Sequence, residues 1–221
     1  MKLGLISDVH GDPVALELAW AHLTVLGAEA IVCAGDLVGY GPRPDEAVAF
    51  VTERRIPSVR GNHDRWALRR GPGVFDPFGG GAPSATTLEF LRGLPEHVEL
   101  PFGRRVGVVV HGAPGDDMEF ITRKAHPPKA LRKLLSRLGA DLLIHGHTHA
   151  PMWHRCDLGL VVNPGSVISA PVVKTSRTFA LVETDTLDVT FHDVESGALV
   201  EVEPWEKGPG AGGQGSGKAE D

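Results

Sequence analysis

The sequence predicts an α/β protein, and three observations support that fold class. Short runs rich in Val, Ile and Leu recur along most of the chain and end abruptly in polar clusters. Segments with helical signals lie between several of these runs. The chain has 221 residues, of which 42% are hydrophobic, so it can bury a substantial core. Strands that alternate with helices are typical of α/β domains.

Six segments share the pattern of an apolar run followed by polar residues: KLGLISDVHGD, AIVCAGDLVGYG, IPSVRGNHD, VGVVVHGAPGD, DLLIHGHTH and LVVNPGS. Runs of this kind indicate strands that are buried on both faces. The Gly that follows most of them suits a tight turn beyond the strand end. Since α/β sheets place their sites at the carboxyl ends of strands, we expect six strand ends to surround one site.

Four segments between these runs carry helical signals. Pro13 suits the first turn of a helix that continues to Leu26, and residues 44–53 begin with an acidic first turn. Ser84 is a candidate N-cap, and PPKALRKLLSRLG ends in basic residues and a glycine. Beyond Asn163 the runs RTFALVET, LDVTFHDV and ALVEVEP predict strands that complete a second, more antiparallel sheet.

Residues 1–206 are expected to form one domain, followed by a Gly-rich flexible tail over residues 207–221. A second Gly- and Pro-rich segment, residues 71–82, is also expected to be mobile and to border the site, because it follows the GNHD motif. The only cysteines, Cys33 and Cys156, have no metal-binding spacing and are expected to be reduced thiols.

Charge and hydropathy exclude several classes of function. The net charge of −6 disfavours an extended nucleic-acid surface, so we expect a small phosphorylated partner and no stable nucleic-acid binding. No apolar run is long enough to span a membrane, and charged residues follow the start of the chain too soon for a signal peptide. We therefore expect a cytoplasmic protein without a membrane partner; its oligomeric state is left open.

The polar clusters combine two carboxylates, one amide oxygen and five imidazoles: Asp8, His10, Asp36, Asn62, His63, His111, His147 and His149. Mixed oxygen and nitrogen ligands suit first-row divalent metals, and the absence of thiolates disfavours a structural zinc site. Taken singly, each residue has an ordinary explanation: His111 as a core histidine, Asn62 as a turn residue, Asp36 as an N-cap. Together they exceed what one ion takes, which favours two ions that share a carboxylate.

The ordered motifs DxH, GD, GNH[DE], a lone His and GHxH all occur between Asp8 and His149. This set resembles the calcineurin-like metallophosphoesterase superfamily, and its spacing resembles the small bacterial phosphodiesterase branch. The resemblance implies a four-layer α-β-β-α sandwich of two mixed sheets. It also implies hydrolysis of phosphodiesters, with phosphomonoesters and dinucleoside polyphosphates as alternative substrates.

The same resemblance implies a role for each motif residue. Asp8, His10 and His149 would bind a first metal ion, Asn62, His111 and His147 a second, and Asp36 both. Mn is the favoured metal, with Fe, Zn, Ni or Co as alternatives. Ions about 3.5 to 4 Å apart can hold a bridging hydroxide that attacks the phosphorus. His63, paired with Asp64, would act as the general acid.

Departures from the family pattern narrow the range of expected substrates. Gly39 and Tyr40 stand where protein phosphatases of this family carry an acidic residue and a phosphate-binding arginine, which disfavours a protein phosphatase. Asn62, Arg43 and Arg60 are candidate substrate contacts, although a solvated surface position is the favoured alternative for each arginine. A non-catalytic scaffold, like the family's retromer subunit, and a mononuclear metal sensor are the competing functions. The scaffold is disfavoured because His63 is present.

Overall fold

Two mixed five-stranded sheets form the centre of the fold in the computed structural model, which describes residues 1–122, 124–168 and 177–205. Numbered in chain order, the first sheet consists of β10 (Leu199–Val200), β9 (Asp188–Asp193), β8 (Thr178–Glu183), β1 (Lys2–Ile6) and β2 (Ala30–Cys33). The second consists of β3 (His97–Phe102), β4 (Arg105–Val110), β5 (Leu142–Ile144), β7 (Gly159–Asn163) and β6 (Met152–Cys156). The predicted 207–221 tail lies outside the described residues.

Parallel pairing aligns the strand ends that carry the polar motifs. In the first sheet β1 pairs in parallel with β2 and antiparallel with β8. In the second sheet β5 lies between β4 and β7 and is parallel to both. The carboxyl ends of parallel neighbours lie at the same edge of a sheet, so the residues that follow these strands are brought together.

Three apolar layers confirm the predicted four-layer sandwich. Leu5 of the first sheet belongs to the same buried cluster as Ile144 and Val162 of the second, so the two sheets pack face to face. The outer face of the first sheet packs against helices α1 (Pro13–Val25), α2 (Pro44–Glu53), α3 (Asn62–Arg70) and α4 (Ala85–Gly93). The outer face of the second packs against α5 (Pro128–Leu138).

The four predicted helices are present, and local capping sets their ends. The Asp12 carboxylate accepts hydrogen bonds from the Val14 and Ala15 amides at the start of α1. The Ser84 hydroxyl accepts from the Thr87 amide and begins α4. Gly139 ends α5 in the left-handed conformation. Among the described residues, none of the helices combines the length and hydropathy needed to span a bilayer.

The structure corrects one expectation about the elements and adds two strands that were not predicted. The run IPSV forms only an isolated bridge between Ser58 and Cys33, and helix α3 follows it directly. The strands beyond Asn163 complete one of the two sheets, as expected: β8, β9 and β10 add antiparallel pairs to β1, which makes that sheet the more antiparallel of the two. Edge strands β3 and β6 were not predicted, although HVELPF in β3 alternates polar and apolar residues as a half-exposed strand does.

Candidate metal centre

The predicted ligand residues converge at the carboxyl ends of the central strands. Asp8 and His10 follow β1, Asp36 follows β2, and Asn62 begins α3. From the second sheet, His111 follows β4, while His147 and His149 follow β5. We call these seven residues the ligand cluster. All are buried except His147, which is half-buried.

Ligand atoms of the cluster lie in two groups. The first group consists of Asp8, His10 and His149, and the second of Asp36, His111 and His147. In each group, one ligand atom per residue lies within 4.8 Å of those of the other two residues. The two groups divide the histidines as the family resemblance implies, and Asn62, which the resemblance adds to the second set, has its Oδ1 2.9 Å from His111 Nε2. Asp36 lies between them, because its Oδ2 is 3.2 Å from His111 Nε2 and 3.8 Å from His10 Nε2.

The donor atoms fit a cation in each group. In the first, the Nε2 atoms of His10 and His149 face each other at 3.0 Å, and Asp8 Oδ1 lies 3.3 Å from His149 Nε2. This Oδ1 is buried and has no hydrogen-bond partner among the described residues. Buried lone pairs that face one another are unfavourable unless a proton or cation lies between them.

The outward nitrogens of the second group have the partners expected of metal-binding histidines. His111 Nδ1 lies 2.7 Å from the Ala34 carbonyl oxygen, and His147 Nε2 lies 3.2 Å from that of Met118. An N–H donated to a carbonyl oxygen fixes the tautomer and leaves the other ring nitrogen to bind a metal. His111 Nε2 accordingly faces Asn62 Oδ1 at 2.9 Å.

Backbone strain is concentrated in the cluster. Among the described residues, seven that are not glycine have a positive φ, and five of them are Asp8, His10, Asp36, His147 and His149. Such conformations cost about 1 to 3 kcal/mol each and persist only where the surrounding structure imposes them. Hydrogen bonds from the His10 amide to the Asp36 carbonyl and from the His147 amide to Asp8 Oδ2 impose them here. These backbone conformations direct the five side chains toward the centre of the ligand cluster.

The GNH motif approaches Asp36 so closely that its first residue, Gly61, must be a glycine. The Asp36 carboxylate lies so near the α-carbon of Gly61 that any side chain there would overlap it. This approach lets Asp36 Oδ1 accept the His63 amide at 2.8 Å, while Asp36 Oδ2 stays directed at the histidines.

The electrostatics of the cluster favour ionised carboxylates. Burial opposes ionisation of Asp8, but the surrounding histidines, His149 foremost, lower its pKa to about 2. Burial lowers the pKa of His10 to about 3, which keeps that imidazole neutral. For His111, burial is outweighed by the Asp36 carboxylate, which raises the pKa to about 10. A metal ion at His111 Nε2 would replace the proton held there.

His63 lies against the cluster within a group of aromatic rings. Its ring centroid is 4.7 Å from both Tyr40 and Trp66 and 4.8 Å from His10. The nearest carboxylate to its Nδ1 belongs to Asp76, at 3.9 Å. A nitrogen of His63 also lies within 4.8 Å of ligand atoms of His10 and Asp36. Burial lowers the pKa of His63, and Asp36 and Asp76 oppose that effect.

The expected pairing of His63 with Asp64 is wrong. The buried Asp64 carboxylate accepts hydrogen bonds from the amides of Val38, at 3.1 Å, and Gly61, at 2.9 Å. Adjacent residues of a helix point in different directions, so Asp64 faces the backbone while His63 faces the cluster. Burial, followed by repulsion from Asp36, raises the pKa of Asp64 to about 7.

The candidate substrate contacts separate into near and remote positions. Asn62 lies in the cluster, and Arg60 lines a cavity of about 160 Å³ that also borders His111. The Arg60 guanidinium is 3.1 Å from Glu96. Arg43 is 42% exposed and pairs with Glu46 at 3.2 Å on the surface. Arg60 is therefore a neighbour of the ligand cluster, whereas Arg43 makes a contact on the surface.

Sequence reasoning missed three neighbours of His63, namely Tyr40, Trp66 and Asp76. The Tyr40 ring lies 4.5 Å from that of His10. Asp76 belongs to the 71–82 segment, is buried, and forms an ion pair with Arg70 at 2.7 Å. The available signals were the position of Tyr40 four residues after Asp36 and that of Trp66 three residues after His63 on one helix. Asp76 had none, because a loop carries no periodic pattern.

His145 and Asn163 support the GHTH turn. His145 is fully buried, and its Nδ1 lies 3.2 Å from the side-chain nitrogen of Asn163. Asn163 donates to the Gly146 carbonyl at 2.7 Å, and its own oxygen accepts the Gly165 amide at 2.8 Å. The two residues therefore hold the loop that carries His147 and His149.

Known proteins share this sequence pattern and fold. An uncharacterized protein of Methanocaldococcus jannaschii is 27% identical over 175 residues, 75% of this chain and 69% of that protein. Phosphodiesterase YfcE of Escherichia coli K12 is 28% identical over 199 residues, 86% of this chain and 91% of YfcE. The crystal structure of a metallophosphoesterase from Sphaerobacter thermophilus superposes with a TM-score of 0.67 at 31% identity and covers 88% of each chain. The sequence profile of the calcineurin-like phosphoesterase superfamily domain matches residues 1–187, and the chain therefore belongs to that superfamily.

Proposed function

We propose that this protein is a two-metal phosphoesterase that hydrolyses phosphodiesters in the cytoplasm, with His63 as general acid. The observation that carries the proposal is the division of the ligand cluster into two groups with Asp36 between them. A phosphodiester substrate is favoured by similarity to phosphodiesterase YfcE over 86% of this chain. We expect a small phosphorylated substrate, because the acidic chain disfavours long nucleic acids.

Asp8, His10 and His149 would hold one ion, and Asn62, His111 and His147 the other, with Asp36 shared. When bound, two divalent ions polarise the phosphate oxygens and activate a water molecule for in-line attack. Imidazole and carboxylate ligands suit Mn, which we favour, and also Fe, Zn, Ni or Co. The two carboxylates of the cluster leave a net positive charge on such a centre, which attracts a phosphate.

Residues of the chain orient the two carboxylates and supply a proton. The backbone contacts of Asp36 and Asp8 hold their free oxygens toward the histidines. His63 lies next to His10 without a hydrogen bond to it, so its imidazole is available to protonate the leaving oxygen. The carboxylate of Asp76, 3.9 Å from His63 Nδ1, favours the protonated imidazole.

Metal removal tests this proposal. Chelation should abolish hydrolysis, and Mn²⁺ should restore it, when the protein is assayed with phosphodiesters, phosphomonoesters, cyclic nucleotides and dinucleoside polyphosphates. Metal analysis should give two ions per chain. Full activity in metal-free protein would refute the proposal. Two bound ions without hydrolysis of any substrate would favour the scaffold, and one ion would favour the mononuclear sensor.

A further inference from the structure

Two exposed phenylalanines contact rings of the site, and they belong to segments with several exposed apolar side chains. Among the described residues, nine large hydrophobic side chains are exposed. Five of them belong to the two segments that border the cluster, namely Val74, Phe75, Phe78, Met118 and Phe120. These five include every exposed phenylalanine of the described residues. Single exposed apolar residues are ordinary, but Phe78 and Phe120 differ from the other three because their rings contact histidines of the site.

The first exposed aromatic side chain, Phe78, lies next to His63. Phe78 is 51% exposed, and its ring lies 5.8 Å from Tyr40 and 6.0 Å from His63. Tyr40 in turn contacts the rings of His10 and His63. The Phe78 ring therefore continues an aromatic surface from the cluster outward to solvent.

The second, Phe120, lies on the ring of His147, in the other ligand group. Phe120 is 49% exposed and stacks on the His147 ring at a centroid distance of 4.2 Å and an interplanar angle of 19°. The carbonyl of Met118, two residues earlier, faces His147 Nε2. Phe120 is thus fixed to the cluster on one face while half of its surface stays open.

We propose that Tyr40, Phe78 and Phe120 form an aromatic rim that binds the flat aromatic or heteroaromatic substituents of the phosphoester substrate. The inference rests on the proposed function, since the ligand cluster would hold the phosphate between these rings. Aromatic rings bind flat groups by stacking, whatever the polar substituents of those groups. Two rings on two different histidines suit the two organic substituents of a phosphodiester. Phe78 would contact the leaving group, because it lies beside His63, and Phe120 the other substituent.

Binding of two phosphonates, which are not hydrolysed, tests the rim. By titration calorimetry, the Mn²⁺-loaded protein should bind phenylphosphonate roughly tenfold more tightly than methylphosphonate, the gain typical of one stacking contact. The double variant Phe78→Ala/Phe120→Ala should lose most of this ratio while its affinity for methylphosphonate and its metal content stay constant. Phe78→Trp should keep the ratio. Phe75→Ala is the matched control, because Phe75 is 73% exposed on the same segment and has no ring contact among the described residues.

The outcomes separate the rim from the catalytic proposal. A wild-type ratio in the double variant, with hydrolysis intact, would overturn the rim and leave the proposed function standing. A changed oligomeric state with an unchanged phosphonate ratio would also overturn it and assign the rings to contact between copies of this chain. Failure to hydrolyse any phosphoester and to bind either phosphonate would refute the proposed function and, with it, the rim.

Discussion

His63 and His111 are both buried histidines of the site, but their ring nitrogens have different surroundings. His111 has one nitrogen on the Ala34 carbonyl and the other within 3.2 Å of both Asn62 and Asp36. His63 lies among aromatic rings and has no hydrogen bond to its Nδ1 among the described residues. The first arrangement suits a ligand and the second a group that exchanges a proton.

His63→Ala should retain two metals and lose roughly 10² to 10⁴ in rate, the usual contribution of a general acid. The loss should be much smaller for an activated aryl leaving group, which departs as a stable anion, than for an alkyl alcohol. His111→Ala should instead lower the metal content and slow all substrates together. Metal analysis and steady-state rates measure both effects. Loss of metal from His63→Ala would reassign His63 as a ligand.

Asp64→Ala should destabilise the fold and leave the leaving-group dependence unchanged. The substitution removes the acceptor of two buried amides, those of Val38 and Gly61, and each unsatisfied amide costs about 1 to 3 kcal/mol. Urea denaturation should show a loss of about 2 to 6 kcal/mol in the free energy of unfolding for the two amides together. Asp64→Asn, which keeps one acceptor, should lose less. Unchanged stability together with a changed leaving-group dependence would restore Asp64 to the catalytic machinery.

At the scale of elements, helix α3 and the segment that follows it assemble one side of the site. The first turn of α3 directs Asn62 to His111, His63 to Tyr40, and Asp64 to the backbone. The 71–82 segment, expected to be mobile, instead packs its Gly80 against the backbone of Gly39. The packing holds Asp76 and Phe78 against His63.

Gly80→Ala should displace this segment without disturbing the metals. A methyl group at residue 80 would overlap the carbonyl oxygen of Gly39, and neither backbone can easily move. We expect the ratio of diester to monoester rates to change while metal content stays constant. Gly93→Ala is the matched control, because a methyl group there meets no atom within 4 Å among the described residues. An unchanged rate ratio would make the segment irrelevant to substrate choice.

At the scale of the whole molecule, the ligand cluster joins the two sheets. Asp8, His10 and Asp36 follow strands of the first sheet, while His111, His147 and His149 follow strands of the second. A hydrogen bond from the His147 amide to Asp8 already crosses between them. An ion bound to both sets would therefore oppose separation of the sheets.

Metal binding should accordingly stabilise the fold. Mn²⁺ at a free concentration of 100 times its Kd should raise the free energy of unfolding by about 2.7 kcal/mol per site, because the unfolded chain does not preserve the site. Thermal unfolding with and without chelator measures the shift. Asp36→Asn should reduce it, since Asp36 faces both groups. An identical melting temperature with and without Mn²⁺ would contradict metal binding by the folded chain.

Local sequence patterns predicted four helices, most buried strands and the residues that meet in the ligand cluster. Apolar periodicity, capping residues such as Ser84, and turn glycines act over a few residues, so they are visible in a short window of sequence. The order of the five motifs identified the family for the same reason. Helix α3 and the edge strand β3 were not predicted, although α3 ends in Arg69, Arg70 and a following glycine and β3 alternates polar and apolar residues.

The groups that surround His63 could not be predicted from the sequence, because they depend on tertiary packing. Asp64, its sequence neighbour, turns away toward Val38 and Gly61, whereas Asp76 and Phe78 reach His63 through a loop anchored at Gly39. The same holds for the neighbours of Asp36, since His111 approaches it from the other sheet. These contacts join residues far apart in the chain, and their geometry depends on how the two sheets and the loop pack, which no local pattern specifies.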